Sequence, residues 1–212
     1  MTNKTVPSRA SQGAAPRVQP AADRIRRSAR QLFYHRGIRA VGVDAIVAEA
    51  GVTKPSLYRS FPSKDALAAS YLRDYDAEFW SRFDEAVAAH PGDPRAQVLA
   101  FFARVAERAA TIPGYRGCGL TNAAVEYPEP DHPARRVSEA NKRRLRERLA
   151  GMARAMGARA PEALGDGLLL LLEGAYVSSQ LFGADGPAQH LCEAADCLIG
   201  ASLAHGQGGG AR

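Results

Sequence analysis

The chain has 212 residues, is 46% hydrophobic and carries a formal net charge of +6. This length suits one domain of moderate size or two small ones, and the apolar content supports a core without disulfides or metals. Three cysteines, an odd number, and an N-terminus without an apolar signal region point to a reduced, cytoplasmic setting. The longest apolar cluster, Leu168–Leu172, falls far short of a membrane span, so no membrane partner is expected.

The positive charge is concentrated at one end. Residues 1–66 hold 12 Lys/Arg against 4 Asp/Glu, and residues 67–212 hold 16 against 18. A basic N-terminal third joined to a slightly acidic remainder is the electrostatic footprint of a nucleic-acid reader. A solubilising arm would account for Lys4, Arg9 and Arg17, but not for arginines placed on a helix.

In chain order, residues 1–20 are rich in Pro, Ser, Ala and Gln and read as a disordered arm. Asp23 is a plausible cap for a first helix whose apolar stripe is Ile25, Ala29, Leu32 and Phe33. Arg24, Arg26, Arg27 and Arg30 spread over its other faces, either toward phosphates or as a solvated surface. Val43, Ile46, Val47 and Ala50 recur at helical spacing, with Asp44 in the first turn, and Gly51 follows where a left-handed turn is needed. Thr53 then caps a third helix that has Pro55 in its first turn. Leu57 and Phe61 face inward on this helix. Thr53, Lys54, Pro55, Ser56, Tyr58 and Arg59 are left outside, a short basic surface with hydroxyls and one aromatic. Lysine and arginine suit phosphates or guanine edges, and the hydroxyls suit phosphate oxygens. Pro62 stops the helix and Ser63 caps the next, so that Lys64 and the free N–H groups beside it form an anion site. A three-helix packing unit with an incidental polar face is the alternative.

A fourth helix is expected from Lys64 to about His90, with Leu67, Tyr71, Tyr75, Phe79 and Phe83 along one stripe. Pro91-Gly92-Asp93-Pro94 breaks the chain before a fifth helix bearing Val98, Phe101, Phe102, Val105 and Ala109. A sixth spans Leu120–Tyr127, and Pro128, Pro130 and Pro133 interrupt it. A long basic helix covers about 133–156, capped by Asp131 or His132. Two last helices are expected at roughly 161–183 and 187–204. Leu164, Leu168, Leu171, Leu172, Ala175 and Leu181 make the former apolar almost all round, so it must be buried on several sides. Their small residues allow close approach, and the pair reads as half of a four-helix dimer interface, with packing inside one chain as the alternative. Residues 206–212 are glycine-rich and read as a flexible tail.

The sequence over about residues 23–72 resembles the TetR/AcrR family of bacterial transcriptional repressors. The resemblance is carried by Val43-Asp44-Ala45-Ile46, Ala50-Gly51-Val52, Leu57-Tyr58, Phe61 and Ser63-Lys64-Asp65-Ala66-Leu67. It implies an all-α protein with a helix-turn-helix DNA-binding domain at 21–66 and a helical effector-binding and dimerisation domain at 67–205. It also implies a homodimer through the two C-terminal helices, operator DNA as partner, and release by a small, largely apolar effector. Carried over by position, Thr53, Lys54, Pro55, Ser56, Tyr58, Arg59 and Lys64 are DNA-contact candidates. Tyr58 and Lys64 match phosphate contacts, and Lys54 and Ser56 match base readers. The chain departs from the family where many members carry a serine or threonine hydroxyl. It has Val41-Gly42 there, which keeps backbone capping without a side-chain phosphate contact.

Apolar pockets with few polar groups are the usual design of small-molecule sites. Phe79, Phe83, Phe101, Phe102, Tyr127 and Tyr176, with Asn122, Glu126 and Gln180 as polar contacts, are therefore the effector-pocket candidates, plain core being the alternative. The sequence has no glycine-rich phosphate loop, no serine elbow and no His-x-x-x-His helix, so neither an enzyme nor a cofactor or metal is expected. An activator of the same fold, or a helical ligand-binding protein that does not use DNA, are the rival readings. Cys118 reads as a small buried residue, with a redox role as its alternative.

Overall fold

The computed structural model describes residues 20–203, so the N-terminal arm and the C-terminal tail expected from sequence lie outside the described residues, except for Pro20. Among the described residues the chain is built from α-helices and two short 3₁₀ turns, with no strand. The first three helices are α1 (Ala21–Arg36), α2 (Val43–Ala50) and α3 (Lys54–Ser60). Helix α1 starts two residues earlier than its expected cap. The Pro20 carbonyl accepts from the N–H groups of Asp23 and Arg24, which leaves Asp23 inside the first turn rather than at the cap.

The α2–α3 turn forms as its residues dictate. Gly51 adopts φ 59°, ψ 42°, a left-handed conformation that any β-carbon would strain, and its N–H bonds back to the Ala48 and Val47 carbonyls. The Thr53 hydroxyl then accepts from the Ser56 N–H at 3.4 Å to open α3. Leu57 and Phe61 turn inward against Ile25, Ile46 and Ala50, so the three helices share one small core.

Helix α4 (Lys64–Ala88) is the long element of the fold, 25 residues or about 37 Å. Ser63 caps it, its hydroxyl accepting from the Ala66 N–H at 3.0 Å. The first half of α4 packs on α1, with Phe33 and Tyr71 rings 5.7 Å apart. Its second half packs on α5 (Pro94–Thr111), where Phe83 and Phe101 meet edge to face at 4.8 Å. Helix α6 (Gly119–Glu126) is short and ends just before the prolines. Helix α7 (Pro133–Ala155) is capped by His132, whose Nδ1 accepts from the Ala134 N–H.

Helix α8 (Pro161–Phe182) lies along α7, burying Leu164, Leu168 and Leu172 against Leu145 and Leu149. The last helix starts later than expected. Pro187–His190 forms a 3₁₀ turn, and α9 runs from Leu191 to Leu203 with Ala195 and Ile199 buried. The expectation that α8 is covered on several sides also needs correcting for the single chain. Leu170 is 72% exposed, Leu181 73% and Phe182 62%, so Leu181 is not part of the buried stripe. The stretch Pro161–Asp185 is long and apolar enough to cross a membrane by length and composition alone, which corrects the view that no segment approaches that size. Two of its carboxylates nevertheless pair with cations of α7, Asp166 with Arg146 and Glu173 with Lys142.

Candidate nucleic-acid interface and effector site

The outer face of α3 carries the residues singled out from sequence. Thr53, Lys54, Pro55, Tyr58 and Arg59 are exposed and Ser56 is half-buried. Three of them, Thr53, Ser56 and Arg59, are joined through the Ser56 hydroxyl. Thr53 donates its hydroxyl proton to Ser56 Oγ at 3.2 Å, and the Arg59 guanidinium donates to the same oxygen at 2.9 Å. Lys54 Nζ pairs with Asp44 at 2.7 Å across the turn, and that carboxylate raises the lysine pKa above its ordinary value. The ammonium is thus held charged at the head of α3, in a pair exposed enough to exchange for a phosphate or a base edge.

Lys64 stands apart from this set, at the start of α4. Its ammonium donates to the Arg39 carbonyl at 3.2 Å, which uses one of three N–H groups and leaves the others to an anion at the helix N-terminus. Arg26, Arg27 and Arg30 of α1 are exposed and Arg24 is half-buried. Arg24 donates to the Gly51 carbonyl at 3.3 Å and so clamps the turn. Arg26 lies over the Phe61 ring and beside Asp23. Arg30 forms a two-pronged pair with Glu78 of α4, which holds that carboxyl below its usual pKa.

The aromatic candidates for an effector pocket separate into three places. Phe79, Phe101 and Tyr176 line a cavity of only about 20 Å³ with Tyr75 and Tyr115, room for about one water. Phe83 and Phe102 are fully buried in the core, 1% and 0% exposed. Asn122 and Gln180 bond to each other at 3.4 Å, and Asn122 donates to the Arg116 carbonyl, so both fix the loop before α6.

Glu126 and Tyr127 do not reach this cavity. The prolines end α6 and turn the chain toward the α1–α2 loop, where Glu126 Oε2 accepts the Arg39 N–H at 2.8 Å. Gly37, at φ 85°, leaves room for that carboxylate, since a β-carbon there would stand 3.0 Å from Glu126 Oε1. Arg39 also pairs with Glu129 at 2.9 Å and lies 4.9 Å over the Tyr127 ring, which stacks on His132. Burial pushes the Tyr127 hydroxyl pKa up to about 12, so the ring serves as a neutral platform.

Four spaces of about 870, 290, 240 and 320 Å³ are larger, and two of them bear on function. One is an open groove of about 870 Å³ along α8 and α9, floored by Gly167, Leu171, Gly174 and Leu198. The other is a cleft of about 290 Å³ between α1, α4 and the end of α5. Sequence reasoning also missed Lys142, whose ammonium donates to Glu173 at 2.6 Å and to Cys118 Sγ at 3.5 Å inside the C-terminal bundle. Lys142 is one cation among many on a basic helix, and nothing in its spacing marks it as half-buried. Among the described residues no group of three or more His, Cys, Asp and Glu is arranged to hold a metal.

The arrangement of α1 to α4 matches known proteins. Residues 25–71 match the family described as bacterial regulatory proteins, tetR family. A TetR-family transcriptional regulator from Streptomyces coelicolor superposes with a TM-score of 0.78 at 31% identity, over 87% of this chain and 95% of that one. The chain belongs to the TetR family. A similar regulator from Streptomyces avermitilis matches at TM-score 0.77 and 31% identity, over 87% of this chain and 98% of its own. The EthR regulator of Mycolicibacterium smegmatis is 32% identical over 94 residues, 41% of this chain and 43% of its own length. An HTH-type transcriptional regulator of Mycobacterium tuberculosis is 39% identical over 59 residues, 29% of its length, so the match spans under half of these curated relatives. Membership of the TetR family makes the chain a DNA-binding transcriptional regulator of all-helical fold, with α2–α3 as its helix-turn-helix.

Proposed function

We propose that this chain is a ligand-controlled repressor that acts in the cytoplasm as a homodimer on a palindromic operator. The observation that carries the reading is the pairing of two unlike exposed faces on one chain: the connected polar set on α3, and the apolar groove of α8–α9. Residues 21–66 form the DNA-binding unit, and residues 67–205 bind the effector and form the dimer. A twofold axis through α8 and α9 places the two α3 helices in major grooves about one turn apart, roughly 34–36 Å. Lys54 and Ser56 read base edges, while Thr53, Pro55, Tyr58, Arg59 and Lys64 meet the sugar–phosphate backbone or its edge. A small organic effector with an apolar body favours a conformer with the wrong spacing, and shifts the equilibrium only by its differential affinity for the two states.

The test is an anisotropy titration against DNA from the region upstream of the chain's own gene, with excess nonspecific competitor, at two salt concentrations. Saturable, competitor-resistant binding that weakens with salt supports the reading. Binding that competitor abolishes both there and in a genome-wide selection of bound fragments overturns it.

A further inference from the structure

We propose that the cleft between α1, α4 and α5 is a binding site for a small aromatic carboxylate. The proposal deepens the regulator reading and rests on it for its consequence, but the cleft is argued from its own walls. Its volume, about 290 Å³, stands at the lower end of small-molecule sites and fits a ligand built on a single ring. The inner cavity lined by Phe79, Phe101 and Tyr176, at about 20 Å³, holds no such ligand.

The lining chemistry selects the class. Arg27 and His35 contribute from α1 and Arg108 from α5, and no carboxylate side chain lines the cleft. Arg30 also lines it but is neutralised by Glu78 from behind. Arg108 makes no ion pair among the described residues, an unusual state for a half-buried guanidinium in a chain with so many arginine–carboxylate pairs. A guanidinium facing a cleft without an acid is suited to a two-pronged bond with a ligand carboxylate.

The remaining walls are aromatic. Tyr34 and Tyr75 stack at 6.3 Å, and Tyr71 meets Tyr75 edge to face at 6.2 Å, giving a planar apolar body ring faces and edges to lie against. The Tyr34 and Tyr75 hydroxyls are taken up by the Gly117 carbonyl. Tyr71, only 5% exposed, has a buried hydroxyl with no hydrogen-bond partner, a polar atom whose desolvation nothing in the folded chain offsets.

The site's position supplies the regulatory consequence. Arg27 and His35 belong to the helix that carries the DNA-binding unit, and Arg108 and Ile112 end a helix of the C-terminal bundle. A ligand bonded to Arg108 while packed against α1 fixes the angle between the two units, and so has different affinity for conformers that differ in that angle. Tyr75 and Arg108 also line the inner cavity, which places the aromatic core directly behind the bound carboxylate.

The experiment is calorimetric titration of the full chain with benzoate and cinnamate, each beside its neutral amide, on the wild type and on Arg108→Gln, with thermal unfolding to confirm that the variant folds. The carboxylates are expected to bind saturably and at least tenfold more tightly than the amides. Arg108→Gln is expected to remove that preference while leaving amide binding unchanged, because a charge-assisted bond contributes about tenfold or more. Equal binding of acids and amides, retention of the preference in Arg108→Gln, or no saturable binding of any probe overturns the proposal. DNA titration of ligand-free wild type separates the two readings. DNA binding without carboxylate binding sinks the site alone, and carboxylate binding without DNA binding sinks the regulator reading alone.

Discussion

The outer face of α3 and the open groove of α8–α9 are both solvent-facing in one chain, yet they are built on opposite principles. On α3 the exposed groups are hydroxyls and cations already joined to one another, Thr53 to Ser56, Arg59 to Ser56 and Lys54 to Asp44. On α8 they are Leu170, which lines the groove, and along the same helix Val177, Leu181 and Phe182, with no polar work to do. A preconnected polar face loses little freedom when it meets a charged partner. An apolar face gains its stability only when water is removed from it, which requires a partner of matching shape and like chemistry, such as a second copy of the same helices. The difference teaches that exposure by itself does not name a partner, and that the chemistry of the exposed atoms does.

The comparison breaks most sharply at the apolar face. Leu170→Glu with Leu181→Glu is expected to raise the dimer dissociation constant by about a thousandfold, since each leucine contributes roughly 1.5–3 kcal/mol when buried and a carboxylate must be desolvated in its place. Sedimentation velocity reads this directly, and a double variant that stays dimeric would refute the interface. Operator affinity should fall with it, because one reading helix cannot span two half-sites.

At the polar face the expected effects are smaller and differ in kind. Lys64→Ala should weaken binding to every sequence alike and reduce the salt slope by about 1 per protomer, as expected for one lost phosphate contact. Lys54→Ala should instead alter which bases are preferred, by about 1–3 kcal/mol at the position it reads. A selection from randomised operators that returns the wild-type preference would show that Lys54 reads no base. The smallest effect is purely structural. Ser63→Ala removes the cap of α4 and should cost about 1 kcal/mol of stability, seen as a lower thermal midpoint with the salt slope unchanged.

What was legible in the sequence follows the range of the interactions. The α2–α3 unit is fixed by neighbours: Gly51 by its left-handed φ, Thr53 and Ser63 by hydroxyls three residues before the N–H they cap. Such signals lie within one turn of chain and can be read from spacing alone. The packing of the candidate effector residues was not legible in that way. Helical periodicity marks Phe79, Phe83, Phe101 and Phe102 as inward-facing without saying which of them meet and which leave a space between them. Arg30 and Glu78 are 48 residues apart, and no local pattern joins them. The three prolines after α6 announced a break but not its direction, so Glu126 and Tyr127 were assigned to a pocket that they turn away from. The exposure of Leu181 was hidden for another reason: helical spacing marks an apolar residue without saying whether a neighbouring helix of the same chain covers it.

The contact of Arg39 with Glu126, Glu129 and Tyr127 has a mechanical consequence. Helix α4 joins the two halves of the molecule as continuous backbone, and the Arg39 cluster, the Arg30–Glu78 pair and the Tyr34–Gly117 bond fasten them at further points. A joint pinned at several places cannot bend freely, so any change of angle between the halves must loosen at least one of these contacts.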